Sequence, residues 1–136
     1  MFLKQYYLGC LAHASYMIAD EKTKIAVVVD PQRDIEQYLA DAKAGEYSIK
    51  YVFLTHFHAD FLAGHIELRN QAGARICLGK RAGAEFDHTA LNDGDVIEFG
   101  DVRIQTVETP GHTPEGISLL VFDLTTSDVV PNAVLT

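Results

Sequence analysis

The apolar run Tyr51-Val52-Phe53-Leu54 passes directly into Thr55-His56-Phe57-His58-Ala59-Asp60, and no other segment constrains the chain as tightly. A short apolar run of this kind reads as a buried strand, and the end of a buried strand is a rigid platform for a loop that carries chemistry. Side chains alternate along an extended segment, so His56, His58 and Asp60 share one side and can face one cavity. Imidazole and carboxylate are the ligand types favoured by zinc and non-haem iron. A further histidine stands in Thr109-Pro110-Gly111-His112-Thr113-Pro114, a proline- and glycine-stiffened loop that also follows a strand-like run. The expectation is a metal site built from these two loops, with His56, His58 and His112 as its candidate ligands. Asp60 is the candidate catalytic residue, as a general base or as a partner that orients an imidazole.

Around this junction the chain reads as strands interleaved with two helices. Phe2–Leu8, Ala14–Ala19 and Ile25–Val29 form three strands, the last continuously apolar as a strand covered on both faces should be. Asp34 can cap a helix with apolar positions Ile35, Tyr38, Leu39 and Ala42 that closes at Gly45. After the strand Ile49–Leu54, a second helix is expected over Phe61–Gln71, for which Asp60 could also serve as N-cap. A strand over Ala74–Leu78 follows, then an irregular or weakly helical stretch from Gly79 to Asn92. Val96–Phe99 and Val102–Val107 make a hairpin about Gly100-Asp101, and strands over Ile117–Phe122 and Ala133–Thr136 close the chain. Mixed hairpin and crossover connections predict an α+β architecture: a mixed sheet, or two sheets with helices outside.

Composition excludes several function classes. The chain has 19 acidic against 11 basic residues, so it offers no basic patch for nucleic-acid phosphates. No apolar run approaches the roughly 20 residues that cross a bilayer, and the N-terminus lacks the basic-then-apolar layout of a signal peptide. A cytoplasmic location is the default expectation. The two cysteines, Cys10 and Cys77, lie in apolar runs and read as buried thiols, not as a disulfide or a zinc site.

Thr55-His56-Phe57-His58-Ala59-Asp60 resembles the T-H-x-H-x-D-H signature of the metallo-β-lactamase fold, and Thr109–Thr113 resembles that superfamily's second ligand loop. The wording of Ala59–His65 and Pro110–Gly116 is most similar to the persulfide dioxygenase-like branch, whose members are often fused to rhodanese domains. The resemblance extends to Ala14-Ser15-Tyr16 and Val27-Val28-Val29-Asp30-Pro31. It implies an αββα sandwich with the metal at one edge, between the sheets. In the binuclear zinc hydrolases of the superfamily, such as glyoxalase II-like thioesterases, the position of Phe61 is a histidine that helps hold a second metal. A phenyl ring cannot ligate. The mononuclear iron branch implies His56 and His112 as ligands of one Fe2+, with His58 and Asp60 as close neighbours of the metal. Its third ligand is an aspartate in a Gly-Asp directly after a strand similar to Ala133–Thr136. The sequence ends at Thr136, so residues 1–136 are expected to be the N-terminal portion of one such domain.

The resemblance implies an iron enzyme of sulfur metabolism that brings a small thiol persulfide, of glutathione or bacillithiol type, together with O2. The alternative is a zinc hydrolase of thioesters in which Asp60 aligns the nucleophile. A third reading is an inactive module that self-associates through an open sheet edge. Other candidates carry plainer expectations. Asp30 reads as a turn residue, His65 as structural and Asp123 as solvated; Tyr6, Tyr7 and Phe57 read as packing aromatics. His13 and His88 fall in loop-like contexts without a role.

Overall fold

A computed structural model describes residues 1–136. Six strands, β1 (Phe2–Leu8), β2 (His13–Ala19), β3 (Ile25–Val29), β4 (Ser48–Leu54), β5 (Arg75–Gly79) and β6 (Thr89–Leu91), lie side by side in chain order. The first three pair antiparallel, and β3 to β6 run parallel. Parallel neighbours need a crossover, which helix α1 (Glu36–Ala44) supplies between β3 and β4 and helix α2 (His65–Ala72) between β4 and β5. The second sheet is a four-stranded antiparallel meander, β7 (Val96–Phe99), β8 (Val102–Glu108), β9 (Ile117–Asp123) and β10 (Ala133–Leu135).

Side-chain alternation divides the core in two. Met17, Ala26, Val28, Val52, Leu54, Ile76 and Leu78 pack with Ile35, Tyr38 and Ala42 of the α1 region and Leu68 of α2. Their neighbours Ile18, Val27, Val29, Phe53 and Cys77 point the other way, onto Val102, Ile104, Leu119 and Val121 of the second sheet. This is why β3 reads as an unbroken apolar run, and why Ile76, Cys77 and Leu78 of β5 are consecutively apolar. The β3–β4 register slips at Lys50, between the pairs Ala26–Ile49 and Val27–Tyr51. The extra residue lets Ile49 and Val52, three apart, both face the helices. Both helices cover the same face of the six-stranded sheet and the second sheet covers the other, giving three layers in the order helices, sheet, sheet.

Several sequence expectations need correction. Helix α2 starts at His65 with Gly64 at its N-cap, not at Phe61, so Asp60 caps nothing. The four residues Phe61–Gly64 instead extend the His/Asp loop. Gly64 fits there because an added Cβ would meet the Gln32 carbonyl oxygen at 2.4 Å. Asp34 lies one residue outside the cap position, and its Oδ1 accepts the Glu36 N–H at 3.1 Å. The stretch 79–92 holds a short 3-10 turn, Lys80–Ala82, and the edge strand β6, whose three residues are too few to show a period. Cys77 is buried but Cys10 is exposed, in the turn between β1 and β2. Tyr6 packs in the core, whereas Tyr7 and Phe57 are exposed.

Candidate metal centre

The centre is assembled at the C-terminal ends of β3 and β4, the edge at which parallel strands deliver loops. Asp30, the residue after β3, is its hub. It is buried and sits at φ +47, in the left-handed region that aspartate tolerates better than most non-glycine residues. Four bonds hold it there. Asp30 donates its N–H to Phe53 O at 2.9 Å, and its own carbonyl oxygen accepts His13 Nε2–H at 2.8 Å. Its carboxylate accepts the Thr55 N–H at 2.8 Å and the Thr55 hydroxyl at 2.7 Å. On the helix side, the buried Tyr38 hydroxyl accepts the Gln32 N–H at 2.9 Å and bonds Ser15 Oγ at 2.6 Å, which fixes the segment leaving Asp30.

These bonds dictate the protonation of His56. Thr55 has one hydroxyl proton, and it is given to Asp30. At 3.0 Å from His56 Nδ1 the hydroxyl oxygen therefore accepts, so His56 carries its proton on Nδ1 and presents a free Nε2 lone pair. Burial first, then the neighbouring His58, holds His56 below the ordinary imidazole range, against the opposing pull of Asp30. The neutral form is the form that ligates a metal.

The His112 loop is braced onto this edge. Ile117 donates its N–H to Thr55 O at 2.9 Å, and Glu115 Oε1 accepts the Phe57 N–H at 3.0 Å. Burial works to raise the Glu115 carboxyl, but the Phe57 bond and others outweigh it and hold it below the usual glutamate range. As a result the rings of His56 and His112 lie 5.1 Å apart, and those of His56 and His58 4.1 Å apart. Together with His13, Asp30 and Asp60 they line a cavity of about 490 Å³.

The structure brings His56, His58 and His112 to one cavity, with Asp60 exposed on its wall. Phe61 is wedged among imidazoles, 4.2 Å from the ring of His13 and 4.6 Å from that of His58. His65 and His88 pack on Phe86 instead. Asp123 bonds Thr125 and the N-terminal ammonium, the latter at 3.3 Å. Two residues of the centre were undervalued in the sequence. His13 is buried and opens β2, on the same face as Ser15 and Met17; that two-residue parity was the available signal. Asp30 is a structural hub as well as a turn residue.

The donor set suits a transition metal. The buried side chain of His58 has no hydrogen-bond partner at Nε2: Asp30 Oδ1 lies 3.2 Å away but off the bond direction. An orphaned imidazole nitrogen beside a pre-tautomerised His56 and an exposed His112 is suited to a cation. The side chains are not closed into a full shell, since no group of three or more His, Cys, Asp or Glu residues has the geometry to hold an ion.

Residues 8–125 match the family described as the metallo-beta-lactamase superfamily. Among curated proteins, the chain is 32% identical over 111 residues to the mitochondrial persulfide dioxygenase ETHE1 of Bos taurus, covering 80% of this chain and 43% of that protein. It is 33% identical over 122 residues to the cytoplasmic hydroxyacylglutathione hydrolase of Arabidopsis thaliana, covering 88% and 47%. Among solved structures, a metallo-beta-lactamase from Staphylococcus aureus superposes with TM-score 0.90 at 33% identity, over 98% of this chain and 41% of the other. ETHE1 from Myxococcus xanthus superposes with TM-score 0.83 at 30% identity, over 89% and 54%. The chain spans less than half the length of the two curated relatives. On the family match and the fold, the chain belongs to the metallo-β-lactamase superfamily.

Proposed function

We propose that residues 1–136 form the N-terminal portion of a mononuclear iron enzyme that oxidises a small thiol persulfide, of glutathione or bacillithiol type. The observation that carries this reading is Phe61. Its ring fills the space between His13 and His58 with carbon, at the position where a second-metal ligand stands in binuclear zinc hydrolases. His56 and His112 are the paired ligands, and a carboxylate from outside these residues completes the set. When bound, the iron supplies a redox-active centre that brings persulfide sulfur and O2 into contact. The chain's own residues prepare that contact. Asp30 and Thr55 fix the His56 tautomer, the 115–117 segment sets the His112 loop, and the cavity walls admit a thiol-sized substrate. Asp60, exposed on one wall, orients a neighbouring imidazole or handles a proton.

The alternative reading, a zinc-dependent thioester hydrolase, is supported by the similarity to hydroxyacylglutathione hydrolases. Metal analysis of the full-length polypeptide separates the two. Iron with persulfide-dependent O2 uptake supports the dioxygenase; stoichiometric zinc with thioester cleavage overturns it. Residues 1–136 alone are expected to retain metal weakly, and tight stoichiometric iron with persulfide turnover by this chain would refute the partial-domain reading.

A further inference from the structure

We propose that Glu115 is a positioning residue that latches the His112 loop to the His56 loop and so sets the spacing of the two imidazoles. The inference rests on the metal-site reading above for its purpose, though not for its geometry.

The Phe57 amide lies in the chain between His56 and His58, and its N–H donates to Glu115 Oε1 at 3.0 Å. Two residues away along each segment, Ile117 N–H donates to Thr55 O at 2.9 Å. The pair has the form of two rungs of a β-ladder, Thr55 facing Ile117 and Phe57 facing Glu115. In an ordinary ladder the second rung would end on the carbonyl oxygen of residue 115. Here that oxygen is turned toward the end of β5, where a Cβ on Gly79 would come within 2.5 Å of it. The Glu115 side chain takes over the rung. A carboxylate is suited to the substitution, because a charged acceptor binds an amide more strongly than a neutral one.

The rest of the His112 loop is bonded to itself and, through the Thr109 hydroxyl and Ser118 Oγ at 2.9 Å, to β9. Gly111 and Gly116 both donate N–H groups to Thr113 O, at 3.1 and 3.4 Å, and Thr109 N–H donates to Gly116 O at 2.9 Å. His112 therefore moves with a compact unit, and this unit is tied to the His56 loop by Ile117 on one side and Glu115 on the other. Without Glu115 the unit would hinge on Ile117, and the 5.1 Å between the His56 and His112 rings would no longer be fixed.

The test compares Glu115→Ala with Glu115→Gln in the 136-residue chain. Glutamine keeps a carbonyl acceptor for Phe57 and should rescue what alanine loses. In the metal-free chain, Glu115→Ala should speed Phe57 amide exchange at least roughly tenfold and weaken the cross-ring nuclear Overhauser contact between His56 and His112. Its Co2+ dissociation constant should rise roughly tenfold, the scale of outer-shell losses at metal sites, with Glu115→Gln within about threefold of wild type. Unchanged Phe57 exchange and ring contact in Glu115→Ala would overturn the latch, as would a glutamine variant as impaired as alanine. If Co2+ binds none of the proteins, the metal reading fails, while the exchange and ring contact still decide the latch. Should the alanine variant not fold, Glu115→Ser carries the same comparison.

Discussion

Asp30 Oδ2 accepts the Thr55 hydroxyl at 2.7 Å, and that bond decides which nitrogen of His56 is free. The other carboxylate oxygen accepts the Thr55 N–H at 2.8 Å, so the two ends of the carboxylate are read separately. The backbone donor cannot turn round, whereas the hydroxyl can. A polar relay therefore runs from the end of β3, through Thr55, to the imidazole proposed as a metal ligand, and each step is fixed by donor count.

Asp30→Asn tests the relay with little change in shape. The Thr55 N–H requires an acceptor, so the new amide must direct its carbonyl oxygen there and its NH2 at the Thr55 hydroxyl. The hydroxyl then accepts from Asn and donates to His56 Nδ1, which moves the His56 proton to Nε2. Stability should fall by only about 1 to 2 kcal/mol, the scale of a weakened buried hydrogen bond. Metal affinity should fall roughly 10- to 100-fold. Nitrogen-15 shifts of the His56 ring report the tautomer directly; an Nδ1-protonated ring in the variant would refute the relay.

The cysteines should separate cleanly. Cys10 is exposed, and burial pushes the Cys77 thiol up to about 12. Thiolate is the reactive form, so one thiol per chain should react with a disulfide reagent in native buffer, and the second only in denaturant. Two fast thiols in the native chain would contradict the packing of Cys77 between the sheets.

How much of this was legible beforehand depended on how far each signal reached along the chain. The buried strand Ile25–Val29 and the stretch Tyr51–Leu54 of β4 announce themselves through unbroken apolar runs, and the two candidate ligand loops through histidines after strand-like runs. The start of α2 was misplaced because Phe61, Leu62 and Ile66 imitate a helical period. In the structure Phe61 lines the cavity, and Leu62 is 71% exposed. Asp30 and His13 stayed hidden because their roles are made by contacts with residues 17 to 25 positions away in sequence. Cys10 was misread since a local apolar run says nothing of a turn's exposure.

Acid should weaken the fold through His65. Burial, more than any other influence, holds its imidazole below the ordinary range, and its Nδ1 is buried without a partner. The unfolded chain therefore takes up a proton at about pH 6.5 that the native chain refuses until a lower pH. Stability is complete above about pH 6.5 and is lost progressively as pH falls toward the folded value. His56 acts with the same sign. Urea midpoints should be level from pH 7 to 8 and decline below about pH 6.5, with a shallower decline in His65→Phe. A midpoint that rises on acidification, or an unaltered slope in the variant, would disprove the assignment.

The proposed mononuclear reading makes Phe61 the residue on which metal number turns. Its ring lies 4.2 Å from His13 and 4.6 Å from His58, in a cavity that also meets Asp60. Phenyl carbon cannot ligate, so on that reading the wild-type cavity holds a single metal ion. Phe61→His places a nitrogen where it can join His58, whose Nε2 has no hydrogen-bond partner, and the adjacent Asp60. The variant should retain more zinc per chain after gel filtration, approaching one additional equivalent, as measured by elemental analysis. Phe61→Leu enlarges the cavity without adding a donor and should retain no more than wild type. Equal zinc in the histidine and leucine variants would show that the phenyl ring only fills space and does not set the metal count.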